Sequence, residues 1–352
     1  MQKVCDIDFE FDNPDRIFEI GGAVTGRVLF TPTRSVQCDG VKLNIFWRTH
    51  GRGNRAQGDA VPLKVDFNET TLEPGQSYEV PFSFEAPPGP LTYRGHYLNI
   101  DWYLQAVLDI PLRPGFLDPK NETEFLLLPK EGIRTDLGPN YEPPPASEVV
   151  GANKVQRSSL LIGGFFAAFS LIFIFPALQI GGAASLLFIV VPGIFFIIGL
   201  ALMFGGIRNR LAAQNLGEVE LSFDERELVP GETVTCTLSF TPTKNVALTK
   251  LRFKLEAEEK VVCGSGTNKT TRTHTLFEEE RISLDAQTLN AEEPVEVTER
   301  FTLPLDAPYT FAAEDNELLW KLNVLIDSKG IIDWSHDYRL AVVPWRGTEL
   351  ML

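Results

Sequence analysis

Val24-Thr25-Gly26-Arg27-Val28-Leu29-Phe30-Thr31-Pro32-Thr33-Arg34-Ser35-Val36 recurs as Val234-Thr235-Cys236-Thr237-Leu238-Ser239-Phe240-Thr241-Pro242-Thr243-Lys244-Asn245-Val246, shifted by 210 residues with no gap. The match extends both ways. Upstream, Asp6-Ile7-Asp8-Phe9-Glu10-Phe11 aligns with Glu218-Val219-Glu220-Leu221-Ser222-Phe223. Downstream, Trp102, Leu104, Ala106 and Leu108 align with Trp320, Leu322, Val324 and Ile326, and Asp109 with Asp327. Each copy closes on an apolar run ending in proline, Leu126-Leu127-Leu128-Pro129 and Ala341-Val342-Val343-Pro344. Several blocks matched in one order indicate a duplicated unit of about 130 residues, a whole domain rather than one turn of a solenoid.

Both copies read as all-β. Val41, Leu43, Ile45 and Trp47 alternate with other side chains, as do Leu251, Phe253 and Leu255 with Arg252, Lys254 and Glu256. A period of two with one apolar face is the signature of a half-buried strand. Turn clusters punctuate the runs at Glu73-Pro74-Gly75-Gln76, Pro87-Pro88-Gly89-Pro90, Pro230-Gly231-Glu232 and Asp327-Ser328-Lys329-Gly330. Short strands separated by such turns predict two β-sandwiches, over residues 1–130 and 217–346.

The 352 residues exceed what two such units need, and the charge shows where the surplus lies. The chain has 32 Lys+Arg against 47 Asp+Glu, a net charge of −15, which argues against nucleic-acid binding. Residues 1–130 hold 13 basic and 18 acidic side chains, residues 131–216 hold 5 and 4, and residues 217–352 hold 14 and 25. From Ser158 to Ile207 no Asp, Glu, Lys, Arg or His occurs in 50 residues. One membrane span needs ~20 apolar residues, so this stretch predicts an α-helical transmembrane hairpin, Leu160–Leu178 and Ala183–Phe204, turning at Gln179-Ile180-Gly181-Gly182. Pro192-Gly193 is expected to kink the second helix. Lys154, Arg157, Arg208 and Arg210 flank the hairpin, which by the positive-inside rule places both ends in the cytoplasm. The expected localisation is therefore an integral membrane protein with both termini and both β domains cytoplasmic.

Residues 131–157, with Gly138-Pro139-Asn140-Tyr141-Glu142-Pro143-Pro144-Pro145, read as a semi-rigid linker giving the first sandwich reach. The second sandwich follows its helix after a short connector, Arg208 to Gly217. Gly163-x-x-x-Ala167, Gly164-x-x-x-Ala168 and Ala201-x-x-x-Gly205 are spacings that permit close helix approach and offer a route to a homo-oligomer. Small residues are common in any membrane helix, and that plain reading is preferred.

Glu19-Ile20-Gly21-Gly22-Ala23-Val24-Thr25-Gly26-Arg27-Val28 and Val229-Pro230-Gly231-Glu232-Thr233-Val234-Thr235 resemble the glycine-then-strand signature of arrestin-like domains. Phe82-Ser83-Phe84, the proline turn Pro87 to Pro90, Tyr93-Arg94-Gly95 and the aromatic strand through Trp102 and Leu108 are similar to that family's later segments. The second copy keeps Phe301, Pro304, Pro308 and Trp320 but has Tyr309-Thr310-Phe311 in place of Tyr-x-Gly. The resemblance covers most of both β regions and implies two tandem arrestin-like, immunoglobulin-like sandwiches. It further implies an adaptor rather than a catalyst.

Catalytic motifs are sparse. Trp334-Ser335-His336-Asp337 places Ser, His and Asp side by side, but neighbours on a strand point to alternate faces and cannot form a relay. Asp109 and Asp327 recur at equivalent strand ends and read as turn formers rather than a cation site. Glu278-Glu279-Glu280 and Glu292-Glu293 read as solvated faces. Cys5, Cys38, Cys236 and Cys263 are widely spaced, with no metal or redox pattern. Asn68-Glu69-Thr70, Asn121-Glu122-Thr123 and Asn268-Lys269-Thr270 fit the N-glycosylation pattern, which matters only outside the cytoplasm.

One loop runs against the acidic background. Arg48, Arg52 and Arg55, in Arg48-Thr49-His50-Gly51-Arg52-Gly53-Asn54-Arg55, could bind a phosphorylated peptide or an anionic headgroup through guanidinium contacts. An ordinary hairpin tip is the preferred reading. The expectation is a non-enzymatic, membrane-anchored adaptor without cofactors, presenting two cytoplasmic sandwiches to protein partners. The alternative is an accessory subunit of a multi-chain membrane transporter, channel or enzyme.

Overall fold

The computed structural model describes residues 4–111, 114–150, 157–180, 185–225, 227–329 and 333–346, without side-chain detail at 116, 157–160, 177, 180, 185–188 and 205–213. The first half runs β1 (Cys5–Phe11), β2 (Ile17–Glu19), β3 (Ala23–Pro32), β4 (Val36–Gln37), β5 (Gly40–Gly51), β6 (Val61–Leu63), β7 (Thr71–Leu72), β8 (Tyr78–Glu85), β9 (Tyr93–Arg94), β10 (Leu98–Asp109) and β11 (Lys120–Leu128). Next come β12 (Ser147–Val150), α1 (Arg157–Ile180) and α2 (Ser185–Leu216). The second half runs β13 (Val219–Phe223), β14 (Glu227–Leu228), β15 (Thr233–Phe240), β16 (Val246–Cys263), β17 (Thr270–Leu284), β18 (Gln287–Leu289), β19 (Val295–Thr302), β20 (Phe311–Ala313), β21 (Asn316–Ser328) and β22 (Trp334–Val342).

Each half packs two sheets around one core. In the first, β1-β3-β8 faces β2-β11-β10-β5-β6, and Ile7, Val28, Phe30, Ile45, Trp102, Leu104 and Phe125 share the interior. In the second, β12-β13-β15-β19 faces β14-β22-β21-β16-β17 around Leu221, Leu238, Phe253, Phe301, Trp320 and Tyr338. The period-two pattern is directly visible: Leu98, Ile100, Trp102, Leu104, Ala106 and Leu108 are buried on β10, as Leu251, Phe253, Leu255 and Ala257 are on β16.

Equivalent residues make equivalent hydrogen bonds. Trp102 Nε1 donates to the Pro90 carbonyl and Trp320 Nε1 to the Pro308 carbonyl, both at 2.7 Å. Thr92 Oγ1 accepts the Leu127 N–H at 2.9 Å, and Thr310 Oγ1 that of Val342 at 2.8 Å. β2 pairs parallel with β11, and β14 with β22. Thr33 N donates to Val4 O at 3.0 Å, and Thr243 N to Asn215 O at 2.8 Å, so the repeated Thr-Pro-Thr anchors whatever precedes the first strand of its half.

In the second half that preceding element is α2. It runs through Gly205-Gly206 to Leu216, past the expected end at Phe204, and Gly217, at φ +77, supplies the left-handed residue that closes it. Leu216 is buried in the second core. The linker departs from expectation too. Asp136 N bonds to Pro88 O at 2.9 Å, Ala312 N to Leu137 O at 2.9 Å and Asn140 N to Ala312 O at 3.0 Å, and β12 then pairs with β13. The linker is laid along both halves rather than extended between them.

The membrane expectation requires correction. Among the described residues no helix is long and apolar enough to cross a membrane. The transmembrane hairpin and the integral membrane localisation with cytoplasmic termini are therefore not supported. What is present is a pair of packed helices. A Cβ on Gly163 would stand 2.7 Å from Gly199 O, and one on Gly199 2.7 Å from Ala167 N, so the Gly163-x-x-x-Ala167 stripe is the α1–α2 contact. Phe166 stacks on Phe195 at 5.9 Å, while Leu161, Phe165, Phe169 and Ile197 face outward. Helix runs through Pro192. Lys154 and Gly181-Gly182 lie outside the described residues, as do the side chains of Arg157, Arg208 and Arg210.

Candidate functional site

The two halves meet along a polar seam built from the loop after β5, the β9–β10 hairpin tip, and β16, β17 and β21. At its centre is Glu259 on β16, fully buried. Its Oε1 accepts Tyr93 OH at 2.7 Å and His96 N at 2.8 Å, and its Oε2 accepts Tyr97 N at 2.5 Å and Leu98 N at 3.3 Å. Three consecutive amides and a phenol thus satisfy a carboxylate whose burial would otherwise be costly. Burial and the bond to Glu259 push the Tyr93 phenol well above its ordinary value. Gly95 makes the approach possible, since a Cβ there would lie 2.0 Å from Glu259 Oε1 and 2.5 Å from the Tyr93 ring.

A second polar knot forms at Asn54. Its side chain bonds Gly264 O at 2.8 Å, receives Gly264 N at 3.0 Å and donates to Asp315 Oδ2 at 2.7 Å. Its backbone N donates to Val262 O at 2.8 Å, and its carbonyl accepts Asn316 Nδ2 at 2.8 Å. The Asn54 bond, with Lys269 beside it, holds the Asp315 carboxyl below its ordinary range. Gly53 sits under this knot, where a Cβ would come 2.7 Å from Asn316 Oδ1. Between the knots the seam is apolar: Trp47 meets the Phe311 ring edge-on at 5.7 Å, and Val261, Ala313 and Leu318 join the first core.

The three arginines of the loop have different fates. Arg48 lies on the outer face of β5, its guanidinium 2.7 Å and 3.2 Å from the two Glu122 oxygens and stacked over Phe46 and Tyr103. This pairing holds the Glu122 carboxyl below its ordinary range. Arg52 and Arg55 are exposed beside the seam. The loop is thus more than a free hairpin tip, because its Asn54 docks on the second half. Next to it, fully buried Asp101 pairs with both Arg94 and His50. Burial and the Arg94 guanidinium, which shares that carboxylate, hold the His50 imidazole below its ordinary value.

Other residues singled out by sequence are engaged locally. His336 pairs with Glu148 at 3.2 Å, while Ser335 and Asp337 each accept from Asn323, so the three do not bond to one another. Asp109 pairs with Lys42 at 2.6 Å; burial and nearby Asp333 raise Asp327. Glu278 and Glu280 pair with Lys254 and Arg252 of β16. Cys5, Cys38 and Cys236 are buried, and burial pushes the Cys236 thiol up to about 12. Among the described residues no His, Cys, Asp and Glu cluster fit for a metal occurs.

Sequence reading missed Glu259, Asn54 and Gly95. Glu259 had a visible signal: it continues the buried register Leu251, Phe253, Leu255, Ala257, where a carboxylate is out of pattern. Asn54 carried none, since its side-chain partners Gly264 and Asp315 are 210 and 261 positions away.

No family model matches the chain. Thioredoxin-interacting protein from Sus scrofa is 25% identical over 131 residues, covering 32% of this chain and 34% of that protein. The Mus musculus protein of the same name is 24% identical over 139 residues, covering 34% and 35%. The chain thus aligns with about a third of the length of the curated relatives it matches. These relatives are arrestin-domain proteins, and the similarity supports an arrestin-like superfamily. The sporulation control protein Spo0M of Bacillus subtilis matches at 21% identity with a TM-score of 0.29, over 35% of this chain and 48% of that one, too weak to bear on the fold.

Proposed function

We propose that this chain is a non-enzymatic adaptor in which two tandem arrestin-type sandwiches, joined through the Glu259 and Asn54 knots, present their loops and outer strands to protein partners. The observation that carries the reading is the seam: buried polar contacts hold two similar modules in one arrangement, so a partner meets a fixed composite surface. The relatives' name, which describes a protein that interacts with thioredoxin, supports a protein as the partner class; thioredoxin itself is not carried over. Arg52 and Arg55, exposed where the halves meet, are the side chains we assign to an anionic group on the partner.

The test is co-purification with the full chain, comparing wild type with Arg52→Glu/Arg55→Glu and with Glu259→Gln. An adaptor retains a reproducible, near-stoichiometric protein set that the charge reversal depletes and the seam variant alters. Retention of no protein above a control would overturn the adaptor reading, and an unchanged set after charge reversal would remove the arginines from it. Self-association of the chain is read from the same preparations by light scattering.

A further inference from the structure

β19 ends the β12-β13-β15-β19 sheet, and among the described residues no strand pairs with its outer edge. The backbone decides which groups that edge offers. Leu303 N donates to Glu232 O at 2.9 Å, and Leu303 O accepts Gly231 N at 3.2 Å, so Leu303 turns toward β15. Alternation along an antiparallel strand turns Phe301, Glu299 and Val297 the same way. The N–H and C=O groups of Thr302, Arg300, Thr298 and Glu296 then point off the sheet. Thr235, opposite Arg300, agrees with this, since its carbonyl accepts Asp224 N on the β13 side.

The equivalent edge of the first half is guarded. β8 borders β3 as β19 borders β15, and Arg27 and Thr237, equivalent in the repeat, face Pro81 and Thr298 respectively. Proline removes the donor at the middle of the β8 edge, and Arg27 gathers Glu10 and Glu79 into ion pairs beside it. β17, the other long border of the second half, is interrupted by two register shifts. β19 has neither device, and all of it pairs with β15 in one unbroken register.

Its charges match a copy of itself. Glu296, Thr298 and Arg300 alternate on the exposed face, and among the described residues neither Glu296 nor Arg300 is held in an ion pair. When two β19 strands run antiparallel with Thr298 opposite Thr298, Glu296 of each falls opposite Arg300 of the other. The same residues supply the outward backbone groups, so hydrogen bonds and charge pairs form in one register. Thr237 Oγ1 and Thr298 Oγ1 stand 3.1 Å apart, and the join sets this threonine row against its own image. Sliding one strand by two residues loses both charge pairs. Sliding it by four sets Glu296 or Arg300 against itself.

We propose that the β19 edge is a homodimer interface, joining two copies into one continuous sheet by isologous antiparallel pairing about Thr298. The pairing stands on the edge alone and does not depend on the adaptor reading.

The measurement is sedimentation velocity of the full chain from about 1 to about 100 µM, where a dimer appears by mass action as a species of twice the 39.2 kDa chain. Arg300→Glu sets a carboxylate against Glu296 of the copy at both pairs, and should weaken association about tenfold. Glu296→Arg should do the same with two guanidinium groups. An equimolar mixture of these two variants regains both attractive pairs and should associate as wild type does, as should the double variant Glu296→Arg/Arg300→Glu. Thr298→Pro copies the guard of the first half and should abolish the dimer over the whole range. Urea midpoints establish that each variant is folded, and should Thr298→Pro fail to fold, the charge variants decide. A wild-type chain that stays monomeric overturns the proposal. So does association that the charge reversals leave unchanged or that the mixture fails to restore, which would assign it to another surface.

Discussion

Thr49 and Glu259 occupy the same place in the two copies, 210 positions apart on β5 and β16, and both are fully buried. Thr49 turns inward: its Oγ1 accepts Ala56 N at 2.8 Å and donates to Ala56 O at 3.3 Å, pinning its own loop. Glu259 reaches out of its half and takes the hairpin tip of the other. The surroundings are otherwise closely matched. Arg52 N bonds Tyr97 O and Val262 N bonds Asp315 O, both at 2.8 Å, and the loop residues Asn54 and Gly264, separated by the repeat's own offset, bond to each other. Contact between equivalent residues is what a two-fold pair makes, so the seam has the form of an isologous interface within one chain. The framework is duplicated, while each side chain that joins the halves is unmatched in the other copy, Glu259 standing opposite Thr49 and Asn54 opposite Gly264.

Replacing Glu259 with Leu tests that asymmetry hardest. It leaves three amides and the Tyr93 hydroxyl without their acceptor, and we expect a loss of about 3–5 kcal/mol in urea unfolding. Thr49→Val, at the equivalent position, should cost only about 1–2 kcal/mol. Equal costs would break the distinction between a joining residue and a loop-pinning one. Gly95→Ala comes next, at about 2–3 kcal/mol, because its new Cβ must displace the carboxylate. In the Glu259→Leu background most of that cost should vanish, a coupling that a double-mutant cycle reads directly.

How much of this was legible in the sequence follows from where each interaction lies. Strand alternation and the repeat are local or self-referential patterns, so the two sandwiches could be read from residues such as Leu251, Phe253, Trp102 and Trp320. The seam is a matter of which distant residues meet. Gly95 reads as one more turn glycine until Glu259 is seen against it, and Arg48 reads as part of a basic loop until Glu122 is found across the sheet. The uncharged run from Ser158 to Ile207 holds the paired helices α1 and α2, but apolar composition by itself does not make a helix pair a membrane hairpin. The end of α2 was misplaced for a simpler reason: the sequence from Arg208 to Leu216 contains no helix breaker, and charge marks a change of environment rather than the end of a helix.

The shared framework makes the opposite kind of prediction, that the two copies respond alike. Trp102→Phe and Trp320→Phe each remove the indole N–H that reaches a proline carbonyl 12 residues earlier. Each should cost about 1–2 kcal/mol, measured as a shift in the urea midpoint at constant slope. A difference of more than about 1 kcal/mol between them would show that the copies share geometry without sharing energetics.

The smallest expected effect separates the copies by pH. Arg48 pairs with Glu122 across the first half, whereas the equivalent strand position in the second carries the opposite charge, Glu258, paired with Lys321 at 2.9 Å. The bond to Arg48 lowers the Glu122 carboxyl, so its contribution is present above the ordinary carboxylate range and is lost as pH falls through the lowered value. Lys321 is raised: burial acts against it, and the Glu258 bond and neighbouring carboxylates outweigh that. Its contribution is therefore present below the ordinary lysine range and is lost as pH rises through the raised value. Arg48→Met should accordingly cost about 0.5–1 kcal/mol at neutral pH, with the difference from wild type closing in acid. Lys321→Met should cost about as much at neutral pH, with the difference closing towards alkaline pH. Urea midpoints of both variants across the pH range decide the matter. If the two differences close on the same side, the inverted pairs are not what distinguishes the outer faces of the two sheets.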